Sequence, residues 1–303
     1  MVRIASNGAL WLFVLVVLLG LAWLSTCLVW AAEKTETDTS RLKLMTFNLR
    51  VETSSDGVNA WLYRRDAVAK LIRTAAPAVM GTQEGTYFML WDLEDRLPEY
   101  KWVGVGRDGG RQGEYMAIFY RPEVLDALDS GSFWLSYQPD VPGSRFPGVN
   151  HARMATWVHF RVRDTGQEFV VYNTHLDHQS QPGREYGAQF LRQDIAQRRT
   201  VGQLPVAVMG DMNCPSSNPA MQLLAADATS GNGLRNVEEW ARAHDLRVGA
   251  TFHGFRGSIA GEPIDHIFVS SEWSIEGYEI MIDLVDERYP SDHYPVVVEL
   301  ALP

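Results

Sequence analysis

The chain has 303 residues, 46% of them hydrophobic and 21% charged, so it can bury a large core and does not have the composition of a disordered polymer. Its formal net charge of −10 at pH 7 argues against broad, sequence-blind adhesion to nucleic acid, which needs a basic stripe. An enzyme that meets phosphate only locally remains compatible with that balance.

Residues 1–32 read as a targeting segment. Arg3 is the only charge before Glu33, and a largely apolar run from Ala9 to Ala32 separates them. Val29-Trp30-Ala31 has the residues that a signal peptidase prefers, and the run is also long enough to span a bilayer uncut. Leu24-Ser25-Thr26-Cys27 is a poor lipobox because of Thr26. A cleaved signal peptide and an uncleaved membrane anchor both place the folded domain outside the cytoplasm, secreted, periplasmic or tethered. Residues 33–40 are polar and aperiodic, a short linker. With Cys27 in the targeting segment, Cys214 stands alone and is expected to be a buried structural thiol.

No Pro/Gly/Ser-rich hinge divides residues 41–303, so one domain is expected there. Its chain order begins with a strand over Leu42–Phe47. A helix follows, with Val68, Leu71, Ile72 and Ala75 on one face, and stops before Pro77. Next come a strand at Ala78–Gly81, a helix over roughly Met89–Leu97, and strands at Glu114–Tyr120, Thr156–Val162 and Glu168–Asn173. A helix carries Gly187, Phe190, Leu191 and Ile195, and strands close the series at Pro205–Met209, Ile264–Val269, Glu276–Ile282 and Val296–Leu300. Many strands with few, irregularly placed helices fit two packed sheets with helices outside better than a strictly alternating parallel sheet.

Gly104-Val-Gly106-Arg-Asp-Gly109 matches a dinucleotide-binding pattern, but that pattern needs a helix after the glycines and a strand is expected instead. A flexible loop is the better reading. The polar residues at strand ends carry more information. Asn48 closes the first strand and Glu84 follows the second. Asn173 and His175 lie two apart, as do Asp211 and Asn213 in Gly210-Asp211-Met212-Asn213, so each pair shares a face of an extended chain. Asp265 opens an apolar run, and Ser291-Asp292-His293-Tyr294-Pro295 precedes the last strand. Any one of these is explained by a turn or a cap. Six at matching strand ends are not.

As an ordered set, these segments resemble the endonuclease/exonuclease/phosphatase superfamily, which includes DNase I-like nucleases, apurinic endonucleases, neutral sphingomyelinases, inositol-phosphate phosphatases and deadenylases. The resemblance covers roughly residues 41–303. It implies a four-layer α/β sandwich, two packed mixed β-sheets flanked by helices, and a metal-dependent phosphoesterase that cleaves a phosphodiester or phosphomonoester by water attack at phosphorus. By resemblance Glu84 is the main metal ligand, with Asn48 and Asp292 completing or supporting the site. Oxygen ligands suit Mg²⁺, with Mn²⁺ as a substitute, and the lack of a Cys/His cluster argues against zinc.

His293 is then the general base, oriented by Asp265, while Asp211 acts as base or water-orienter. Asn213 and His175 meet the phosphoryl group or assist the leaving group, and Asn173 supports them. The resemblance leaves the leaving-group acid open, because some nucleases carry a tyrosine near that position. Arg107, Arg111, Glu114 and Tyr115 in and after the glycine-rich loop, with Arg153 and Arg184, are candidate substrate contacts. Trp134 and Trp157 read as core aromatics. His151, His159, His178, His244 and His253 receive no role, although His178 lies close to the site in sequence. The expected substrate is a nucleic acid, a phospholipid headgroup or a small phosphoester, met by a monomer, with a membrane contact only through an uncleaved N-terminal segment. A binding module without turnover would lack a metal ligand or the imidazole, and here all are present.

Overall fold

The computed structural model describes residues 41–199, 202–226 and 233–303. The targeting segment and the linker lie outside the described residues. The elements are β1 (Arg41–Asn48), a 3₁₀ turn (Ser54–Asn59), α1 (Trp61–Ala75), β2 (Val79–Gln83), β3 (Gly85–Thr86), α2 (Tyr87–Arg96), β4 (Lys101–Val103), β5 (Glu114–Tyr115), β6 (Ile118–Tyr120) and β7 (Leu125–Trp134). They continue with β8 (Met154–Val162), β9 (Glu168–His175), α3 (Gln181–Arg199), β10 (Val206–Asp211), α4 (Pro219–Ala225), β11 (Leu234–Asn236), α5 (Val237–Ala243), β12 (Asp265–Ser270), β13 (Ser274–Ile280) and β14 (Val296–Ala301).

Two six-stranded mixed sheets result, in the orders β13-β14-β1-β2-β6-β4 and β11-β12-β10-β9-β8-β7, with β3 and β5 forming a small separate pair. In each sheet the central pair is parallel, β1 with β2 and β9 with β10. The strand alternation explains the layers. Leu42 and Leu44 of β1, Phe169 and Val171 of β9, Ala207 and Met209 of β10, and Ile267 and Val269 of β12 all enter one apolar cluster between the sheets. The intervening Met45 and Phe47 pack with Trp61, Val68 and Leu93 of α1 and α2. Val170, Tyr172, Val206 and Val208 pack with Leu191, Ile195 and Met221 of α3 and α4. Each fully buried side chain of this size contributes roughly 1.5–3 kcal/mol. The result is the expected four-layer sandwich.

That alternation also places the functional residues. Continuing the inward rows by steps of two reaches Asn48 from Leu44, Asn173 and His175 from Val171, and Asp211 from Met209. Asp265 begins the inward row of Ile267. The polar site is thus the open end of the core between the sheets.

Several boundaries differ from those expected. The strand expected over Glu114–Tyr120 is interrupted at Met116 and Ala117, giving β5 and β6. β2 runs on to Gln83, and the strand expected at Glu276–Ile282 is β13 at Ser274–Ile280. β7 carried no sequence signal because it is a polar edge strand with an irregularity between Ala127 and Asp129. α1 ends at Ala76, whose φ of 48° is left-handed and stops the helix before Pro77. Cys214 is buried and free, and Trp134 and Trp157 are buried. Among the described residues, no helix is long and apolar enough to cross a membrane.

Candidate active site

Asn48, at the end of β1, donates from Nδ2 to both Glu84 Oε1 and Asp211 Oδ2 at 2.9 Å. Its Oδ1 accepts from the backbone N–H of Arg50 at 2.9 Å, which fixes the orientation of the amide. Asn48 therefore holds the two carboxylates together, a supporting position in the expected metal site. Glu84 follows β2 with a φ of 61°, and its Oε2 accepts from Val51 N–H at 2.8 Å. A non-glycine residue in the left-handed region costs roughly 1–2 kcal/mol, so the backbone is strained where it delivers this carboxylate.

His293 precedes β14 and shares a 2.8 Å hydrogen bond between Nδ1 and Asp265 Oδ2. Its Nε2 lies 3.9 Å from Asp211 Oδ2, and His175 Nε2 lies 3.5 Å from the same oxygen. One atom each of Glu84, Asp211 and His293 falls within 4.8 Å of the others. Burial works against an imidazolium at His293, but Asp265, Asp211 and Asp292 outweigh it and raise its pKa to about 10. Burial, with the charge of Asp265, pushes Asp211 up to about 7. His175 moves the other way, well below the ordinary imidazole value, because it is buried and faces Arg153 and Arg107.

The donor set fits a hard cation. Glu84 and Asp211 converge, and among the described residues neither forms an ion pair with a lysine or arginine. Asp292 lines the same cavity, 3.7 Å from Arg50 Nε, and burial raises its pKa. Asn213, with a φ of 51°, donates its backbone N–H to Asp211 Oδ1 at 2.9 Å. Its side-chain Nδ2 donates to Leu176 O at 3.0 Å, and Asn213 lines the cavity.

These residues open into a cavity of about 340 Å³ that is also lined by Arg50, Arg107, Glu114, His151, Arg153, His178 and Phe252. Arg107 Nη1 donates to Glu114 Oε2 at 2.8 Å, and burial pushes the Glu114 carboxyl above its ordinary value against the pull of Arg107. Arg153 Nε reaches Asp177 Oδ2 at 3.4 Å, and its Nη2 lies 3.0 Å from His178 Nδ1. Since a guanidinium only donates, that nitrogen of His178 is the acceptor and Nε2 carries the proton. Arg107 Nε, Arg153 Nη1 and His175 Nδ1 are buried without a protein partner. A larger groove of about 680 Å³ beside Val58, Leu62 and Tyr63 has no comparable cluster of acids and imidazoles.

Four expected substrate contacts do not line this cavity. Asn173 crosses between the sheets, donating to Thr82 O and Ala117 O at 2.8 Å and accepting from Gln83 Nε2 at 2.7 Å. Tyr115 is buried, and its hydroxyl donates to Gly110 O. Arg184 is occupied with Asp177 O and Gln181 Oε1. Arg111 stacks on Tyr87, 4.3 Å from the ring centre. The glycine-rich loop leads into β5 without a helix, as expected. Conversely, Arg50, His151 and Phe252 line the cavity without having been singled out in the sequence. Phe252 is half exposed, with its ring centre 5.0 Å from that of His293.

A sequence profile described as the Endonuclease/Exonuclease/phosphatase family matches residues 45–293. An endonuclease/exonuclease/phosphatase structure from Bacteroides vulgatus is 32% identical, with a TM-score of 0.79 over 87% of this chain and 99% of its own. The mannosyl-6-phosphatase of Bacteroides thetaiotaomicron is also 32% identical, with a TM-score of 0.78 over 86% of this chain and 100% of its own. The human Nocturnin catalytic domain with bound sulfate shares the fold at 17% identity, with a TM-score of 0.66 over 87% of this chain and 95% of its own. No curated protein sequence gives a significant match. The sheet order, the cluster at the strand ends and the match across residues 45–293 lead to one conclusion: this chain belongs to the endonuclease/exonuclease/phosphatase family of phosphoester hydrolases.

Proposed function

We propose that this chain is a divalent-metal-dependent phosphomonoesterase that acts outside the cytoplasm on a compact, polyhydroxylated substrate such as a sugar phosphate. The observation that carries the reading is that two arginines lining the cavity are each paired, Arg107 with Glu114 and Arg153 with Asp177. Paired charges offer both donors and acceptors, which suits hydroxyl groups, each of which donates and accepts. An unpaired arginine cluster would instead favour a second anion. The half-exposed Phe252 supplies an apolar face of the kind that packs on a sugar ring. A cavity of about 340 Å³ suits a small molecule. The 32% identity to a mannosyl-6-phosphatase supports the same class, and the apolar N-terminal segment supports the location.

Glu84 and Asp211 would hold Mg²⁺, or Mn²⁺ in its place, with Asp292 in support. When bound, the ion polarises a phosphoryl oxygen and offsets charge on the leaving group. Its charge would also answer the Asp211 and Asp292 carboxylates that raise His293. The attacking water would give its proton to His293 Nε2. Asp265 fixes the His293 tautomer, so that Nε2 faces the reacting centre. His175 and the unpartnered Nη1 of Arg153, both lining the cavity, would serve the leaving oxygen.

The test is a panel of sugar phosphates, p-nitrophenyl phosphate, bis(p-nitrophenyl) phosphate, sphingomyelin and oligonucleotides, assayed with Mg²⁺ and with EDTA. Sugar phosphates should be turned over best, and EDTA should abolish turnover. EDTA-resistant activity, or cleavage of diesters alone, would overturn the reading.

A further inference from the structure

Arg64 lies on the buried face of α1, is 1% exposed and forms no ion pair with a carboxylate among the described residues. Its Nε donates to Asn59 O at 2.8 Å, Nη1 donates to Leu49 O and, at 2.9 Å, to Pro290 O, and Nη2 donates to Arg50 O. The guanidinium lies 5.2 Å from the Trp61 ring centre and 5.9 Å from that of Phe255. Burying a cation among carbonyls is costly, and burial pushes the pKa of this arginine down to about 10. A side chain needed only to fill space would be apolar.

The accepting carbonyls show what the cation secures. Leu49 and Arg50 lie between Asn48, which bridges Glu84 and Asp211, and Val51, whose N–H holds Glu84. Pro290 precedes Ser291, whose Oγ donates to Asn48 O at 2.7 Å and accepts from His293 N–H at 3.3 Å. The two segments, 49–51 and 290–293, are irregular and lie more than two hundred residues apart in sequence. We infer that Arg64 is a positioning residue that locks these two loops in one register and so sets the spacing between Glu84 and His293. Only a guanidinium has enough donors in one plane for four carbonyls, because a lysine offers three from a single point. The buried charge also lies behind Asp292, Asp56 and Glu84, offsetting them without reaching into the cavity.

Hydrogen exchange followed by mass spectrometry, on peptides covering residues 48–54 and 288–295, tests this without any substrate. In R64K, exchange should speed up in both peptides together, with peptides from β8 and β9 unchanged; acceleration in one loop alone, or in neither, overturns the inference. Kinetics with p-nitrophenyl phosphate, at a temperature where circular dichroism shows wild type, R64K and R64M all folded, give the second arm. A positioning role predicts a kcat lower by about 100-fold with KM changed less than threefold, since a displacement near 1 Å has that effect. A kcat within tenfold of wild type in both variants reduces Arg64 to a packing residue and overturns the inference. Should neither variant fold, the wild type decides: the two loops must share one protection factor, and a difference beyond tenfold refutes the lock.

Discussion

Where Glu84, Asp211 and His293 line the cavity, two imidazoles, His175 and His293, approach one carboxylate oxygen of Asp211. In the group of Arg107, Glu114, Arg153 and Asp177, each guanidinium meets an acid. Both groups are largely buried, and both contain carboxylates. In the first, burial raises the pKa of Asp211 with help from Asp265, and the carboxylates around His293 raise it against burial. The second is close to neutral and presents donors beside acceptors. On the proposed reading, chemistry and recognition are assigned to different residues of one small cavity.

The contrast can be broken most severely in the first group. Glu84→Ala should lower kcat by about a thousandfold or more with Mg²⁺ present, since metal sites lose much of their rate with their main ligand. A binding isotherm for Mn²⁺ weakened in parallel would assign the loss to the cation. His293→Ala should lower kcat by about a hundredfold or more, leaving Mn²⁺ affinity much closer to wild type; a wild-type rate would move the proton acceptor elsewhere. In the second group the effect should be smaller and selective. Glu114→Gln should reduce kcat/KM for a sugar phosphate relative to p-nitrophenyl phosphate by about tenfold, the scale of one lost charged hydrogen bond. Equal losses on both substrates would deny the recognition role.

The mildest expected effect concerns pH. Glu114 is raised above its ordinary value, so it gains a proton on the acid side earlier than a free glutamate would. As pH falls toward the upper carboxylate range, an acceptor becomes a donor, and sugar-phosphate selectivity should fall a few-fold. Glu114→Gln, neutral throughout, should show no such limb. A limb retained in the variant assigns it to another group.

The fold and part of the candidate site were legible in the sequence because both follow from strand alternation. Glu84 and His293, outside the strands, were placed by resemblance. A polar residue that continues an inward apolar row emerges at the sheet's open end, which is how Asn48, His175, Asp211 and Asp265 declare themselves. Asn173 obeys the same rule but lies one step short of the rim, and its amide ties the sheets together. The residues of the proposed recognition site were only partly legible. Phe252 and His151 come from irregular segments, where no periodicity marks direction. Arg184 and Tyr115 were plausible by residue type but are committed to backbone carbonyls. Arg64 did carry a signal: it shares the helical face of Trp61, Val68 and Leu71, and a charge on an apolar stripe demands an explanation.

The position of β14 has a consequence for how activity arises. This last strand in chain order inserts between β13 and β1, pairing Val296 with Thr46 across most of the chain's length. His293 and Asp292 arrive with it, so none of the chemistry exists until the earliest and latest described strands have met. Contacts of such long sequence separation form late in folding. Catalytic turnover should therefore report completed folding: during refolding from denaturant, far-UV ellipticity is expected to recover before activity does.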